Sequence, residues 1–435
     1  MMLIAGVVCH WAAPLLARAA TLGLWVPGLV VVTLASAATG AVLPLICHLL
    51  PTDGKPGRTV GIVFGANIFG AVAGPLVTGY LLLDFAPLST VSAILLGCVL
   101  LVVGCLALLG AMDPLRSRGV QVILGLAVLS AVSTPWIYEG LYERLLYKGR
   151  FSSDTGFVQT VENRHGVVHV TKTGEVYGGG AYDGALNVDL ESRINGIERA
   201  YALLGIRDRP REALMIGLGS GSWAQVVAAF PGLQSLHVIE INPGYIEVIQ
   251  DSPEVATLLD NDKVRVEIDD GRRWLMRHPG SKFDMIVMNT TWNWRAYATN
   301  LLSVEFLREV RSHLKPGGVA IYNTTNSLEA IRTGISEFPY ALGIGTMIAV
   351  SDSPIDLDVD LMERTWGQME IDGRSVMTPG VRSMLLEFRA GREPWRVLQI
   401  RERKELERMS EGAAIITDDN MVTEWPFPPI LSGAW

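Results

Sequence analysis

Between Met1 and Pro135 the chain carries only eight charged side chains: Arg18, Lys55, Arg58, Arg116 and Arg118, with Asp53, Asp84 and Asp113. Uncharged apolar runs long enough to cross a bilayer, about 20 residues each, occupy Leu22–Leu50, Thr59–Leu83 and Leu88–Met112. Two shorter ones lie at Met1–Ala17 and Gly119–Pro135. Helices buried in a soluble core are the alternative, which several consecutive uncharged runs of this length disfavour. A cleaved leader accounts for the first run alone, because no small-residue cleavage site precedes a soluble domain. The expectation is an N-terminal transmembrane α-helical bundle of four or five helices over residues 1–137. Its partner is the lipid bilayer, and the protein is a multi-pass protein of the cell (inner) membrane.

Within the second long run, Gly61 and Gly65, then Gly70 and Gly74, are spaced for close helix packing around Asn67. Asn67 reads either as helix–helix glue or as the lining of a pathway, and Pro75 predicts a kink. All four cysteines (Cys9, Cys47, Cys98, Cys105) fall in apolar runs, which leaves no disulfide, thiolate metal site or catalytic thiol for the rest of the chain. With five spans, the excess of basic residues in short loops would export the C-terminal part. The expectation is nonetheless a cytoplasmic C-terminal part, which the charges allow if Gly119–Pro135 does not cross.

After Trp136 charges become frequent, and the net charge of −8 for the whole chain offers no basic footprint for nucleic acid. Short β-type runs, Phe157–Val161 and Val167–Val170, predict a small antiparallel β unit within residues 150–205. It continues through a glycine-rich loop, Tyr177–Gly184, and helical spacing over Asn187–Leu204. His165 and His169 flank a turn at Gly166 and read as exposed strand residues, so no metal is expected.

Residues 206–350 alternate apolar strands with helices. The strands are expected at Ala213–Gly217, Leu236–Ile241, Val264–Ile268, Phe283–Met288 and Val319–Tyr322. Such a pattern predicts a C-terminal α/β doubly wound, Rossmann-like domain with a parallel sheet covered on both faces. The first strand ends in Gly217-Leu-Gly-Ser-Gly221, and the second, about twenty residues on, ends in Glu240. Glycines there let the backbone approach a ligand, and a terminal acid accepts hydrogen bonds from ribose hydroxyls. A tight turn with no ligand is the alternative. Asp269, Asp270 and Asn289 fall at later strand ends, where ligands of such sheets bind. One of the two aspartates also suits a helix N-cap. Residues 351–435 carry no legible motif and are expected to pack on this domain as an extension.

The segments Met215–Ser222, Val238–Asn242, Asp269-Asp-Gly-Arg272 and Lys315-Pro-Gly-Gly318 resemble the spermidine synthase branch of the S-adenosylmethionine-dependent methyltransferase fold. The whole arrangement is similar to bacterial membrane proteins that fuse a transporter-like (major facilitator-like) helical region to such a domain. Gly57 to Gly74 and the closing Ile416-Thr-Asp-Asp-Asn420 share in that likeness. The resemblance implies that Gly217, Gly219 and Gly221 cradle the amino-acid or aminopropyl end of the ligand, that Glu240 holds the ribose and that Asp270 meets the adenine amino group. It implies S-adenosylmethionine or its decarboxylated form as cosubstrate, without a metal.

The chain departs from the family where chemistry is expected. After the fourth strand the family places a carboxylate that binds and deprotonates the attacking amine. This chain has Asn289 there, followed by Trp292, Trp294, Arg295 and Tyr297. An amide does not take a proton from an ammonium. Tyr177 stands near the position of the family's glutamine. Tyr182 and Asp183 read either as a replacement base or as an ordinary turn. The expected function is a membrane-anchored transferase acting on an unidentified acceptor. The alternative is a non-catalytic nucleoside- or polyamine-sensing domain on a transporter-like protein. That helical region is too small for a complete transporter, so it would have to form a homo-oligomer or have lost transport; pure scaffolding is a third possibility.

Overall fold

The computed structural model describes residues 1–23, 26–49, 56–108, 118–152, 154–289, 298–391, 398–420 and 422–423. The chain divides into two compact units, Met1–Lys172 and Thr173–Trp435, so the expected β segment contributes one hairpin to each.

The first unit is built on helices. α1 (Met2–Thr21) is its hub, meeting α2 (Val26–Gly40), α6 (Leu88–Leu108), α7 (Arg118–Val132) and α9 (Leu141–Tyr147). Leu3, Leu96, Val103 and Ala127 form the contact between α1, α6 and α7. Polar side chains on these apolar helices satisfy one another. Trp11 Nε1 donates to Ser130 Oγ at 3.0 Å, His10 Nδ1 lies 2.9 Å from Ser92 Oγ, and Tyr138 in α8 (Thr134–Tyr138) donates to the His10 carbonyl at 2.9 Å. α3 (Val42–Leu49) leads toward α4 (Pro56–Val77), which passes through a π turn at Thr78–Leu82 into α5 (Leu83–Phe85). Pro75 removes one helical N–H, and the wider turn follows three residues later.

Among the described residues, four helical stretches are long and apolar enough to cross a membrane: Met2–Thr21, Val26–His48, Gly57–Phe85 and Leu88–Leu106. The run that begins at Gly119 is a pair, Arg118–Val132 and Thr134–Arg150, bent by 65°. The packing expected of the glycine stripe is not made among the described residues. A Cβ added at Gly61, Gly65, Gly70 or Gly74 would meet nothing within 4 Å.

β1 (Phe157–Asn163) and β2 (Gly166–Thr171) form an antiparallel hairpin held to the helices by two acids. Glu162 Oε2 accepts from Leu88 N and Tyr142 OH, both at 2.7 Å, and Asp84 pairs with Arg164 at 3.3 Å. His169 is not the exposed strand residue its sequence suggested. It is 4 % exposed, stacked on Phe157 at 4.2 Å between centroids, and burial lowers its pKa to about 4. The cause is the aromatic neighbourhood: Phe157 and Tyr142 turn that face of the hairpin into a small apolar core.

In the second unit, α10 (Glu198–Ile206) precedes an eight-stranded sheet of order β14-β10-β11-β9-β8-β5-β6-β7. β5 (Glu212–Ile216), β6 (Ser235–Glu240), β7 (Val264–Ile268), β8 (Phe283–Met288) and β9 (Leu314–Asn323) run parallel. α11 (Ser222–Ala228), α12 (Gly244–Gln250), α13 (Gly271–Arg277) and α14 (Val304–Ser312) connect them. β10 (Tyr340–Ile344), β11 (Met347–Ser351) and β14 (Ile400–Glu402) extend the sheet antiparallel, beyond the five expected strands. α15 (Leu328–Glu337) and the closing α18 (Arg403–Met409) cover this extension. α16 (Val359–Trp366), the short pair β12 (Glu370–Ile371) and β13 (Arg374–Ser375), and α17 (Pro379–Arg389) lie between β11 and β14 in the chain. Strand residues buried on both faces, among them Leu214, Ile239, Ile286 and Ala320, share one core with Phe306 and Leu307 of α14.

The helix expected over Asn187–Leu204 is shorter. Arg193, Asn195 and Gly196 have φ of 53°, 65° and 55°, left-handed backbone that no α-helix accommodates, and α10 starts only at Glu198.

Candidate functional site

Strand order reverses between β5 and β8, since β6 and β7 build outward on one side of β5 while β8 and β9 build on the other. The crevice beyond the carboxyl ends of strands at such a point is where open α/β sheets take ligands. Gly217 follows β5 directly, and Asn289 follows β8.

The loop from Gly217 to Gly221 turns through three left-handed glycines, with φ of 89°, 54° and 77°. At Gly219 a Cβ would stand 2.8 Å from the Asp183 carbonyl oxygen, and at Gly221 it would stand 2.7 Å from Ile249. Both positions therefore require glycine for conformation and for space. Beneath the loop lies Glu240, 4 % exposed, with Oε2 accepting from Leu218 N at 2.7 Å and Oε1 from Asn242 N at 2.8 Å. Burial pushes its pKa up. The backbone donors at Leu218 and Asn242 oppose that, and the nearby Asp183 charge adds to it. Each oxygen keeps a lone pair, so the carboxylate can still accept from a ligand hydroxyl. Ile241, 54 % exposed, adds an apolar surface beside it.

The two aspartates after β7 have separate duties. Asp270 is the N-cap of α13, its Oδ1 accepting from Arg273 N at 2.8 Å. Asp269 is buried and accepts from Asp270 N at 2.8 Å, from Arg273 Nε at 2.7 Å and from Arg277 Nη1 at 3.1 Å. Burial pushes its pKa up, but the arginine partners outweigh it and hold the carboxyl below its ordinary value.

Tyr182 and Asp183 do not lie in a loop. β3 (Glu175–Gly178) and β4 (Ala181–Ala185) form a hairpin whose two-residue turn is Gly179-Gly180, at φ of 57° and 81°. Two successive left-handed glycines make the tight turn that suits strand twist, so the glycine run becomes a hairpin. Tyr182 OH donates to Asn195 Oδ1 at 3.2 Å, and burial, with the Glu175 charge, pushes its pKa up to about 12. A phenol so placed stays protonated at neutral pH and is no base. The Asp183 carboxylate accepts from Tyr245 OH.

Asn289 is half-buried, and its Oδ1 accepts from Asn323 Nδ2 at 3.1 Å. Trp292, Trp294, Arg295 and Tyr297 lie outside the described residues. The structure also brings in Asn195, Arg199, Tyr245 and Asn323, which sequence reasoning missed. Arg199 left a trace in the sequence, as a cation directly before the apolar run Ala200–Leu204 of the same helix. Tyr245 left none, because only the tertiary fold sets it against the hairpin.

The profile of the spermine/spermidine synthase domain family matches residues 202–335. The chain is 29 % identical to polyamine aminopropyltransferase 2 of Streptomyces coelicolor over 318 residues, covering 68 % of this chain and 55 % of that protein. It is 25 % identical to the polyamine aminopropyltransferase of Mycobacterium tuberculosis over 329 residues, covering 70 % of this chain and 60 % of that one. The chain thus spans little more than half the length of these relatives. A crystal structure of spermidine synthase in complex with the transition state analogue AdoDATO aligns with a TM-score of 0.43 at 16 % identity, over 53 % of this chain and 88 % of that one. The C-terminal part of this chain is thus similar to spermidine synthase domains, most directly over residues 202–335.

Proposed function

We propose that the protein is a membrane-anchored transferase that binds a sulfonium nucleoside, S-adenosylmethionine or its decarboxylated form, and presents it to a nucleophilic acceptor. The observation that carries this reading is the Glu240 carboxylate, buried directly under the glycine loop and oriented by the Leu218 and Asn242 amides. A carboxylate fixed in that way accepts from both hydroxyls of a ribose, and the loop gives backbone access to the rest of the ligand. A sulfonium is already a good leaving group, so these residues would contribute alignment more than acid–base chemistry. The helices long enough to cross a membrane supply the anchor, with the domain on the cytoplasmic side where the nucleoside is available. Calorimetric titration of the detergent-solubilised chain with methylthioadenosine tests the site. Binding is expected, with a loss of at least tenfold in Glu240→Ala. Equal binding by the two proteins would overturn the reading.

One observation favours a second reading, a binding domain without turnover. The position after β8 offers an amide already engaged by Asn323, not a free carboxylate. Binding without any consumption of the sulfonium ligand, across amine and acid acceptors, would select that alternative.

A further inference from the structure

Arg199 makes no hydrogen bond to an acid among the described residues. Its guanidinium donates from Nε to the Gly196 carbonyl at 3.1 Å, from Nη2 to the Asn195 carbonyl at 3.3 Å and from Nη1 to Thr346 Oγ1. Two of its five N–H donors are left over. Among the described residues it forms no ion pair with Asp or Glu. The Trp223 ring, 4 % exposed, lies 5.6 Å beneath it. Glu198, its neighbour in the helix, attracts it through space but gives it no hydrogen bond, since consecutive helical residues do not face each other. Glu198 is itself buried, burial pushes its pKa up, and its Oε2 has no hydrogen-bond partner. A guanidinium that cannot lose its proton, partly withdrawn from water and hydrogen-bonded only to neutral oxygens, with two donors to spare, can still take an anion.

The surroundings direct that anion to the strand-end crevice. Asn195, whose carbonyl binds Arg199, also takes the Tyr182 hydroxyl, and its amide converges with Ser220 Oγ on the space a Cβ at Gly184 would fill. Ser220 belongs to the glycine loop, so the cation stands one residue behind that loop. On its other side Thr346 leads through Thr324, whose N–H donates to the Thr346 carbonyl at 2.8 Å, to Asn323 and Asn289. Thr325 and Asn326 beyond them have φ of 48° and 63°. Left-handed backbone at a β-branched residue is rare and persists where a site over-determines it. The acid that lies near, Asp183, is turned to Tyr245 on the Glu240 side.

On the reading that the glycine loop holds a sulfonium nucleoside, we infer that Arg199 receives a carboxylate at the end of that ligand's amino-acid tail, so that the site takes intact S-adenosylmethionine in preference to the decarboxylated form. Asn289 belongs to the same arrangement, since an amide there adds no repulsion against a carboxylate where an acid would. A hydrogen bond between two charged groups typically corresponds to about tenfold or more in affinity.

The test is calorimetric titration of the full chain in detergent with S-adenosylmethionine, its decarboxylated form and methylthioadenosine, for the wild type, Arg199→Gln and Arg199→Lys. Wild type is expected to favour the intact ligand by about tenfold or more. Arg199→Gln should bring the two forms within about threefold, Arg199→Lys should retain part of the preference, and methylthioadenosine, which has no tail charge, should bind all three proteins alike. Equal or better binding of the decarboxylated form by wild type overturns the inference while methylthioadenosine binding leaves the nucleoside site standing. The same holds if the preference survives in Arg199→Gln. Absence of methylthioadenosine binding by folded wild-type protein overturns the nucleoside site, and the inference with it.

Discussion

Asn289 carries no charge, its oxygen is engaged by Asn323, and it follows the strand beside the glycine loop. Replacing it with aspartate introduces a negative charge in a partly buried setting, where Coulomb interactions exceed those in water. Asn289→Asp is therefore expected to weaken intact S-adenosylmethionine by about tenfold relative to the decarboxylated ligand, read as the ratio of their calorimetric dissociation constants. An unchanged ratio would show that the ligand tail does not reach this position. His169 gives a prediction of another kind. Its folded pKa of about 4 lies below the ordinary 6.5 because burial disfavours the charged ring. A group depressed in this way contributes stability above its unfolded pKa, and that stability is lost as pH falls from about 6.5 toward 4. The loss amounts to roughly 3 kcal/mol at most. Thermal melts of wild type should fall over that interval, and His169→Phe should flatten the dependence. A parallel decline in both proteins would assign it to other groups.

At the scale of elements, the C-terminal strap around Asp418 binds several helices together. Arg272 holds Asp418 through two bonds, 2.7 and 2.6 Å long, and Ser303 Oγ adds a third at 2.6 Å. Nearby, Val304 N donates to the Ile416 carbonyl, and Ile416 N donates to Thr333 Oγ1, both at 2.9 Å. Fork geometry of this kind is stronger than a single ion pair, though partial exposure screens it. Asp418→Ala should destabilise the chain by about 1–2 kcal/mol. The Arg272→Ala, Asp418→Ala double variant should cost clearly less than the two single changes added. Strict additivity in thermal unfolding would mean that the pair is independent.

The strap also shows where sequence reading reaches its limit. The parallel strands were legible because each is a short apolar run followed by a turn signal, as in Leu214–Ile216 and Val238–Glu240. Gly217 and Glu240 were placed at strand ends for the same reason. The antiparallel extension was not, because β10 and β11 are joined by only Gly345-Thr346, and β14 adds just three residues, two of them the charged Arg401 and Glu402. Neither periodicity nor spacing reveals that Ile416 and Asp418 fold back onto α14. The hydroxyl-to-amide link from Tyr182 to Asn195 depends on left-handed turns at Arg193 and Asn195, residues whose type does not require that conformation.

Over the whole molecule, the N-terminal unit presents apolar side chains that water would penalise. Ile62, Phe69, Leu101 and Leu129 are each 63 % exposed or more, and α4 has no buried residue across its apolar stretch. Contiguous apolar surface on this scale belongs against lipid or another protein, since soluble monomers rarely show patches beyond a few hundred Å². Exposed charges on the same helices are sparse, and the backbone of each helix satisfies itself, which is the condition for crossing a bilayer. The chain is therefore expected to sediment with membranes, to stay there through an alkaline carbonate wash and to be released only by detergent. Release by carbonate alone would limit the helices to peripheral attachment. The same membranes locate the C-terminal domain. In inverted inner-membrane vesicles, added protease should remove it from the outset. In right-side-out vesicles it should survive until the membrane is permeabilised. The reverse pattern would place the domain outside the cell, away from any cytosolic nucleoside, and would overturn the proposed transferase reading even if Glu240 and the glycine loop bind the ligand in vitro.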